Sequence, residues 1–89
     1  DRNLIRAVMG HLVLIFRDAC AIRAGSAVCI SGSPRAQEVS RTLAGRLTRI
    51  RLMQLPALAE ETRLRVDRNA NTSLLVTEFC ARLRELAGQ

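Results

Sequence analysis

The chain has 89 residues, and 48% of them are hydrophobic although only Phe16 and Phe79 are aromatic. This length fits one domain with a modest core, and an aliphatic composition favours helices over a β-sandwich or barrel. Fourteen arginines against eight acids give a net charge of +6, but the arginines are scattered and no aromatics alternate with them, which argues against a dedicated nucleic-acid groove.

The first predicted helix covers residues 2–24. Apolar residues recur at three- and four-residue spacing, which predicts one buried stripe made of Leu4, Val8, Leu12, Ile15, Ala19 and Ile22. Arg23 followed by Gly25 predicts the helix end, since a cation suits the negative pole and glycine turns easily into the left-handed conformation.

Residues 25–33 form a loop, and we expect its apolar middle, residues 27–30, to fold against the helices. Ser33 and Pro34 predict the next helix start, because a serine hydroxyl caps free amides and proline suits the first helical position. The second helix covers residues 34–47, with a predicted buried stripe of Ala36, Val39, Leu43, Leu47 and Ile50.

Two interpretations of the following segment stay open. In the first, Thr48 caps a new helix over residues 49–69 that is kinked or broken near Pro56. In the second, one helix runs from 34 to about 54 and ends because proline lacks an amide donor. Both predict helix from about 57 to 69, with Leu58, Thr62 and Val66 in line.

A last amphipathic helix is predicted over residues 72–87, on the spacing of Leu75, Phe79, Leu83 and Leu86. Before it, Asn69 suits the left-handed residue that ends a helix, and Asn71 suits the cap that accepts from amide 73 or 74. These two asparagines predict a tight helix–helix corner. The fold class is therefore all-α, a small bundle of four to five helices.

The residue pattern indicates no catalytic or metal site. Cys20, Cys29 and Cys80 are widely spaced and predict buried reduced thiols rather than a zinc site or disulfide framework. His11 has no acid or cysteine at ligand spacing, and no GxxxxGK[ST] phosphate loop is present. The longest apolar stretch, HLVLIF, is too short to span a bilayer. We expect a cytoplasmic domain without cofactor or metal.

Three segments resemble the C-terminal collar domain of bacterial DNA polymerase III clamp-loader subunits, the delta′ and gamma/tau group. They are FRDACAIRAG, RTLAGRL and ETRLRVDRNANTSLLVTEFCARLREL. In that family a helix rich in arginine ends at an Asn-x-Asn corner and a leucine-rich helix follows. The first segment is more similar to delta′ than to gamma/tau. The sequence departs from the family pattern at Thr72, at Pro56, and at Cys20 and Cys80.

The resemblance implies that residues 1–89 are one collar domain cut from a longer AAA+-type subunit. Collar domains associate in a hetero-pentamer, which loads the sliding clamp onto primed DNA during replication. The other loader subunits would be the partners, DNA would be met only through the complex, and ATP chemistry would lie in absent N-terminal modules. The domain itself would not be an enzyme. The candidate interface residues are Arg17, Asp18, Arg63, Arg68, Glu78 and Arg82.

Two other hypotheses stay open. An arginine-rich helical module could bind DNA or RNA, which requires arginines gathered on one face and a steep salt dependence. A helical regulator with a redox-active cysteine requires an exposed thiol of low pKa.

Overall fold

The computed structural model describes residues 1–26, 28–68 and 71–88. These contain four helices, α1 (Arg2–Arg23), α2 (Pro34–Arg46), α3 (Arg49–Arg68) and α4 (Thr72–Leu86). The described ranges contain no β-strand, so the predicted all-α bundle is confirmed, and the helix ends lie within one residue of those predicted under the first interpretation of the segment after α2. α1 packs against α3, α2 lies on α1, and α4 lies on α3. The resulting molecule is flat, with extents of 40 × 27 × 17 Å.

The helix ends follow from short-range hydrogen bonds. The hydroxyl of Ser33 accepts from the amide of Ala36 at 3.4 Å, with Pro34 at the first helical position. Gly25 and Gly88 have φ of +99° and +85° and follow the last turns of α1 and α4, where a left-handed residue releases the chain from the helix. The predicted start of α2 and the predicted ends of α1 and α4 are confirmed.

The core lies mainly between α1 and α3. α3 contributes Leu52, Leu55, Leu58 and Ala59, and Phe79 of α4 completes one end of the same cluster. The predicted α4 stripe is confirmed, since Leu75 and Phe79 are buried and Leu83 and Leu86 pack partly against the core. The predicted alignment of Leu58, Thr62 and Val66 is also confirmed by their burial.

α1 buries apolar residues beyond the predicted stripe, as expected from Leu14, Ile15 and Phe16, which widen the stripe and predict that more than one side of the helix is covered. The buried stripe that faces α3 consists of Met9, Val13 and Phe16.

Within the predicted stripe, Ala19 is buried and Leu12 and Ile15 pack partly against the core, whereas the N-terminal members Leu4 and Val8 are exposed. The predicted burial of Leu4 and Val8 is wrong, because neither side chain packs against the hydrophobic core.

The predicted buried stripe of α2 is also wrong in part. Val39 is 43% exposed and Ile50, which belongs to α3, is 71% exposed, whereas the small residues Ser40 and Ala44 are buried. The hydroxyl of Ser40 donates to the carbonyl of Ile15 at 2.9 Å. Small side chains allow α2 to approach the backbone of α1 closely, which is why a polar residue occupies the contact.

The loop between α1 and α2 does not fold its apolar side chains inward as expected. Val28 is 76% and Ile30 is 64% exposed, and Ala27 lies outside the described residues. The backbone is held instead: the carboxylate of Asp18 accepts from the amides of Ile30 and Ser31 at 2.7 and 2.9 Å. Backbone hydrogen bonding thus fixes this loop while Val28 and Ile30 stay exposed and Cys29 is half-buried.

α3 runs continuously through Pro56, so the first interpretation of the segment after α2 describes its start. The second interpretation, one helix from 34 to about 54, is wrong, and so is a break near Pro56, whereas the alternative of a kink there stays a prediction. Proline has no amide to donate to the carbonyl four residues earlier, which is that of Leu52. The thiol of Cys20 on α1 donates to this carbonyl, with a sulphur–oxygen distance of 3.3 Å. A side chain of the neighbouring helix therefore satisfies the group that proline leaves free.

Candidate subunit interface

The predicted corner lies between α3 and α4. The side-chain oxygen of Asn71 accepts from the amide of Leu74 at 2.9 Å, so the predicted capping role of Asn71 is confirmed. Asn69 lies outside the described residues, and its predicted role stays a prediction. The cap satisfies one of the free amides of the first turn of α4 and fixes where that helix begins.

Asp18 does not lie where an interface residue would. Its side chain is 1% exposed, and both carboxylate oxygens bind loop amides within the domain. We therefore remove it from the interface set, because a buried carboxylate with two partners anchors its own chain. Its neighbour Arg17 is exposed, and its positive charge contributes to lowering the pKa of Glu60 on α3.

Three other candidate residues form ion pairs inside the domain. Arg63 pairs with Glu60 one turn earlier, Glu78 with Arg65 at 3.2 Å, and Arg82 with Glu61 at 3.9 Å. The last two pairs join α4 to α3. Their side chains stay roughly half exposed, so the pairs lie at the surface, where each contributes little to stability.

The charge of Arg63 also changes the titration of its partner. A hydrogen bond from Arg63 holds the pKa of Glu60 below its ordinary value, with added electrostatic attraction from Arg63 and Arg17.

The sixth candidate, Arg68, is exposed in the last turn of α3. Five of the six candidate interface residues thus lie at the surface of α1, α3 and α4, and three of those five already have an acidic or basic partner within the chain.

Sequence reasoning missed a more prominent feature, the outer face of α3, which we define as Ile50, Met53, Ala57 and Leu64. Ile50 is 71%, Met53 60% and Leu64 45% exposed, and Ala57 is exposed as well. Their spacing of three, four and seven residues places them on one side of the helix. The buried residues of α3 lie on the opposite side. The spacing itself was the available signal, but it was obscured because α3 has apolar residues on two sides.

The positive charge is distributed unevenly along the chain. Residues 1–57 hold nine arginines and three acids, whereas residues 58–89 hold five of each. No acid occurs in residues 19–37 or 39–59. The whole net charge therefore belongs to α1, α2 and the first half of α3.

The cysteines only partly follow the expectation of buried thiols. Cys80 is exposed, and Cys20 and Cys29 are half-buried and free. Burial raises the pKa of the Cys20 thiol, which disfavours the thiolate that redox chemistry requires. The redox hypothesis therefore receives no support from Cys20.

No protein-family model, curated protein or solved structure matches this chain. Among residues 1–26, 28–68 and 71–88, no group of three or more histidine, cysteine or acidic side chains is arranged to hold a metal ion. None of the helices in this described part is long and apolar enough to cross a bilayer.

Proposed function

We propose that the chain is a subunit-association domain, the collar of a DNA polymerase III clamp loader, with delta′ the preferred subunit. The single observation that carries association is the outer face of α3. Scattered surface hydrophobics are ordinary, but aligned ones on a face that no other helix covers are typical of interaction surfaces. The clamp-loader identity rests on the resemblance of FRDACAIRAG and of the Asn69–Asn71 corner with its flanking helices.

The proposal assigns the chain an assembly role without chemistry of its own. Nucleotide binding and hydrolysis would belong to other modules of the parent subunit. Apolar side chains framed by arginine are typical anchors of protein–protein interfaces. Ile50 and Met53 with Arg49 beside them have this composition, and the three lie within the first two turns of α3.

A nucleic-acid-binding module is the second candidate, favoured by the concentration of arginine in residues 1–57. The burial of both phenylalanines weighs against it, because Phe16 and Phe79 are 3% and 4% exposed and the chain has no tyrosine or tryptophan. Single-strand binding usually combines basic grooves with exposed aromatic platforms. Duplex binding through phosphates alone would still be revealed by its salt dependence.

The experiment is native mass spectrometry of the chain mixed with purified clamp-loader subunits. We expect a complex that Ile50→Glu and Met53→Glu weaken at least about tenfold, since a charge buried in an apolar interface is strongly unfavourable. Leu74→Glu is the matched control, because Leu74 is 56% exposed on α4. Absence of any complex with the wild-type chain would overturn the proposal, as would equal weakening by all three variants.

A further inference from the structure

A cavity of about 380 Å³ lies where the end of α1 meets the start of α3. It is lined by Cys20, Arg23, Ala24, Arg49 and Met53. We call it the joint cavity. Its size is within the range of sites that accept a bulky side chain or a small ligand.

Arg23 is fixed at the wall of this cavity by the end of α2. Its guanidinium donates through Nη1 to the carbonyls of Ala44 and Leu47, at 3.1 and 3.4 Å. These carbonyls belong to the last turn and cap of α2, where the helix dipole favours a cation. The remaining donors of a guanidinium stay available to another acceptor, in a position set by the fold.

The arginines around the cavity lie in sequence segments that contain no acid. Arg46 and Arg49 flank the two-residue link between α2 and α3, and neither they nor Arg23 take part in any of the ion pairs seen among the described residues. The surrounding sequence, residues 19–37 and 39–59, contains no acid at all. This local field favours an anionic partner.

The same place presents apolar surface. Met53 is 60% exposed at the cavity and Ile50 is 71% exposed one turn earlier on the helix. A larger groove of about 580 Å³ along α2 differs, because Glu38 lies among its lining residues and supplies a negative charge. The joint cavity thus combines exposed aliphatic side chains with uncompensated arginines.

We propose that the joint cavity receives an acidic, apolar-anchored segment of a neighbouring polypeptide chain. One aliphatic side chain of that segment packs against Met53, and its carboxylates bind Arg23 and Arg49. Protein is favoured over nucleic acid because the site offers aliphatic contact and no aromatic side chain for stacking. The inference rests on the proposed function, since it names the surface and the chemistry of the partner in association.

The test uses a fluorescein-labelled 16-residue helical peptide with leucines at i, i+3 and i+4 spacing and glutamates elsewhere. Binding to the 89-residue chain is followed by fluorescence anisotropy at two salt concentrations. We expect Arg49→Glu and Met53→Ser each to raise the Kd at least about tenfold. The matched controls Arg84→Glu and Leu74→Ser, both exposed on α4 and away from the cavity, should stay within about twofold.

Circular dichroism of each variant shows whether it is folded, and a Met53→Leu variant, which keeps the apolar contact, should bind like wild type. Equal weakening by the control variants would overturn the inference. So would equal affinity for a peptide with lysine in place of glutamate. Preferential binding of a 20-nucleotide thymidine strand, lost in Arg49→Glu, would assign the site to nucleic acid. A wild-type dimer in sedimentation that the peptide dissociates would assign it to a second copy.

The failure of this inference differs from the failure of the proposed function. If the chain assembles with loader subunits but does not bind the peptide, the proposal that the joint cavity binds an acidic segment is wrong, while the proposed association stands. Peptide binding without assembly would remove the clamp-loader proposal and leave the acceptor site intact.

Discussion

The two halves of α3 present different surfaces although they belong to one continuous helix. The first half, residues 49–57, exposes Ile50 and Met53 and contains arginines but no acid of its own. In the second half, residues 58–68, Arg63 and Arg65 pair with acids and only Leu64 is a large exposed hydrophobic. The second half satisfies its charges within the domain, whereas the first half leaves charge and apolar area for a partner.

The largest expected effect is on stability, and it compares a buried with an exposed side chain in the first half of α3. Leu55→Ala removes a fully buried side chain and should lower the free energy of unfolding by about 2–5 kcal/mol. Met53→Ala, two residues earlier, should change it by less than about 0.5 kcal/mol, as surface substitutions usually do. Urea denaturation of both variants measures this difference. Similar losses in the two would mean that Met53 supports the fold rather than awaiting a partner.

Asp18 should be nearly as important to stability. Asp18→Ala removes two charge-assisted hydrogen bonds to loop amides and should cost about 3 kcal/mol. The control Asp67→Asn weakens only the exposed pair with Arg6 and should cost less than about 1 kcal/mol. Hydrogen exchange gives an independent readout, because the amides of Ile30 and Ser31 should lose protection in Asp18→Ala. Retained protection would contradict the anchoring role.

The coupling between Cys20 and Pro56 is specific to the first half of α3. Pro56→Ala restores an amide donor for the carbonyl of Leu52 and should stabilise the domain by about 1–2 kcal/mol, less than the full proline penalty because Cys20 already compensates in part. Cys20→Ala should therefore cost more in the wild-type chain than in the Pro56→Ala background. A double-mutant cycle in urea should give a coupling of about 0.5–1 kcal/mol. Strict additivity would show that the thiol contributes by packing alone.

Beyond the second half of α3, the N-cap residue of α4, Asn71, is expected to have a smaller effect on stability. Asn71→Ala removes the acceptor for the amide of Leu74 and should cost about 1 kcal/mol. Asn71→Ser keeps an oxygen acceptor and should stay within a few tenths of a kcal/mol of wild type. Thermal unfolding of the two variants distinguishes them. An equal loss in both would point to a role of the amide beyond capping.

The smallest effect is expected at Glu60 and depends on pH. Its pKa is lower in the folded state, so its contribution is present above the ordinary glutamate value of about 4.3 and is lost as pH falls through the folded pKa. Glu60→Gln should lower the urea midpoint slightly at pH 7, and the difference from wild type should shrink as the pH falls below the ordinary glutamate pKa. The control Glu38→Gln, which removes a carboxylate with no ion pair among the described residues, should show no such pH dependence. A Glu60 effect that persists at low pH would exclude the ion pair as its cause.

The sequence by itself determined most of the helix ends, although it left the boundary between α2 and α3 open. Ser33 with Pro34, Asn71, Gly25 and Gly88 act through backbone hydrogen bonds and dihedral angles within a few residues, so their effects can be predicted locally. The same local reasoning allowed a break at Pro56 that does not occur, because the missing hydrogen bond is supplied by Cys20, 36 positions earlier in the chain. Proline always removes one backbone amide donor, but whether the helix breaks there depends on the side chains of the neighbouring helix.

Only the tertiary structure decided which apolar residues are covered. Leu4 and Val8 continue a regular stripe but are exposed and lie outside the hydrophobic core, whereas Ser40 is buried because α2 approaches α1 closely. Asp18 resembled a surface acid in the sequence and became a buried loop anchor. Burial depends on which helix lies opposite, and helical periodicity identifies a face without identifying its neighbour. The exposure of the outer face of α3 could not be predicted for the same reason, because it depends on where the other helices pack.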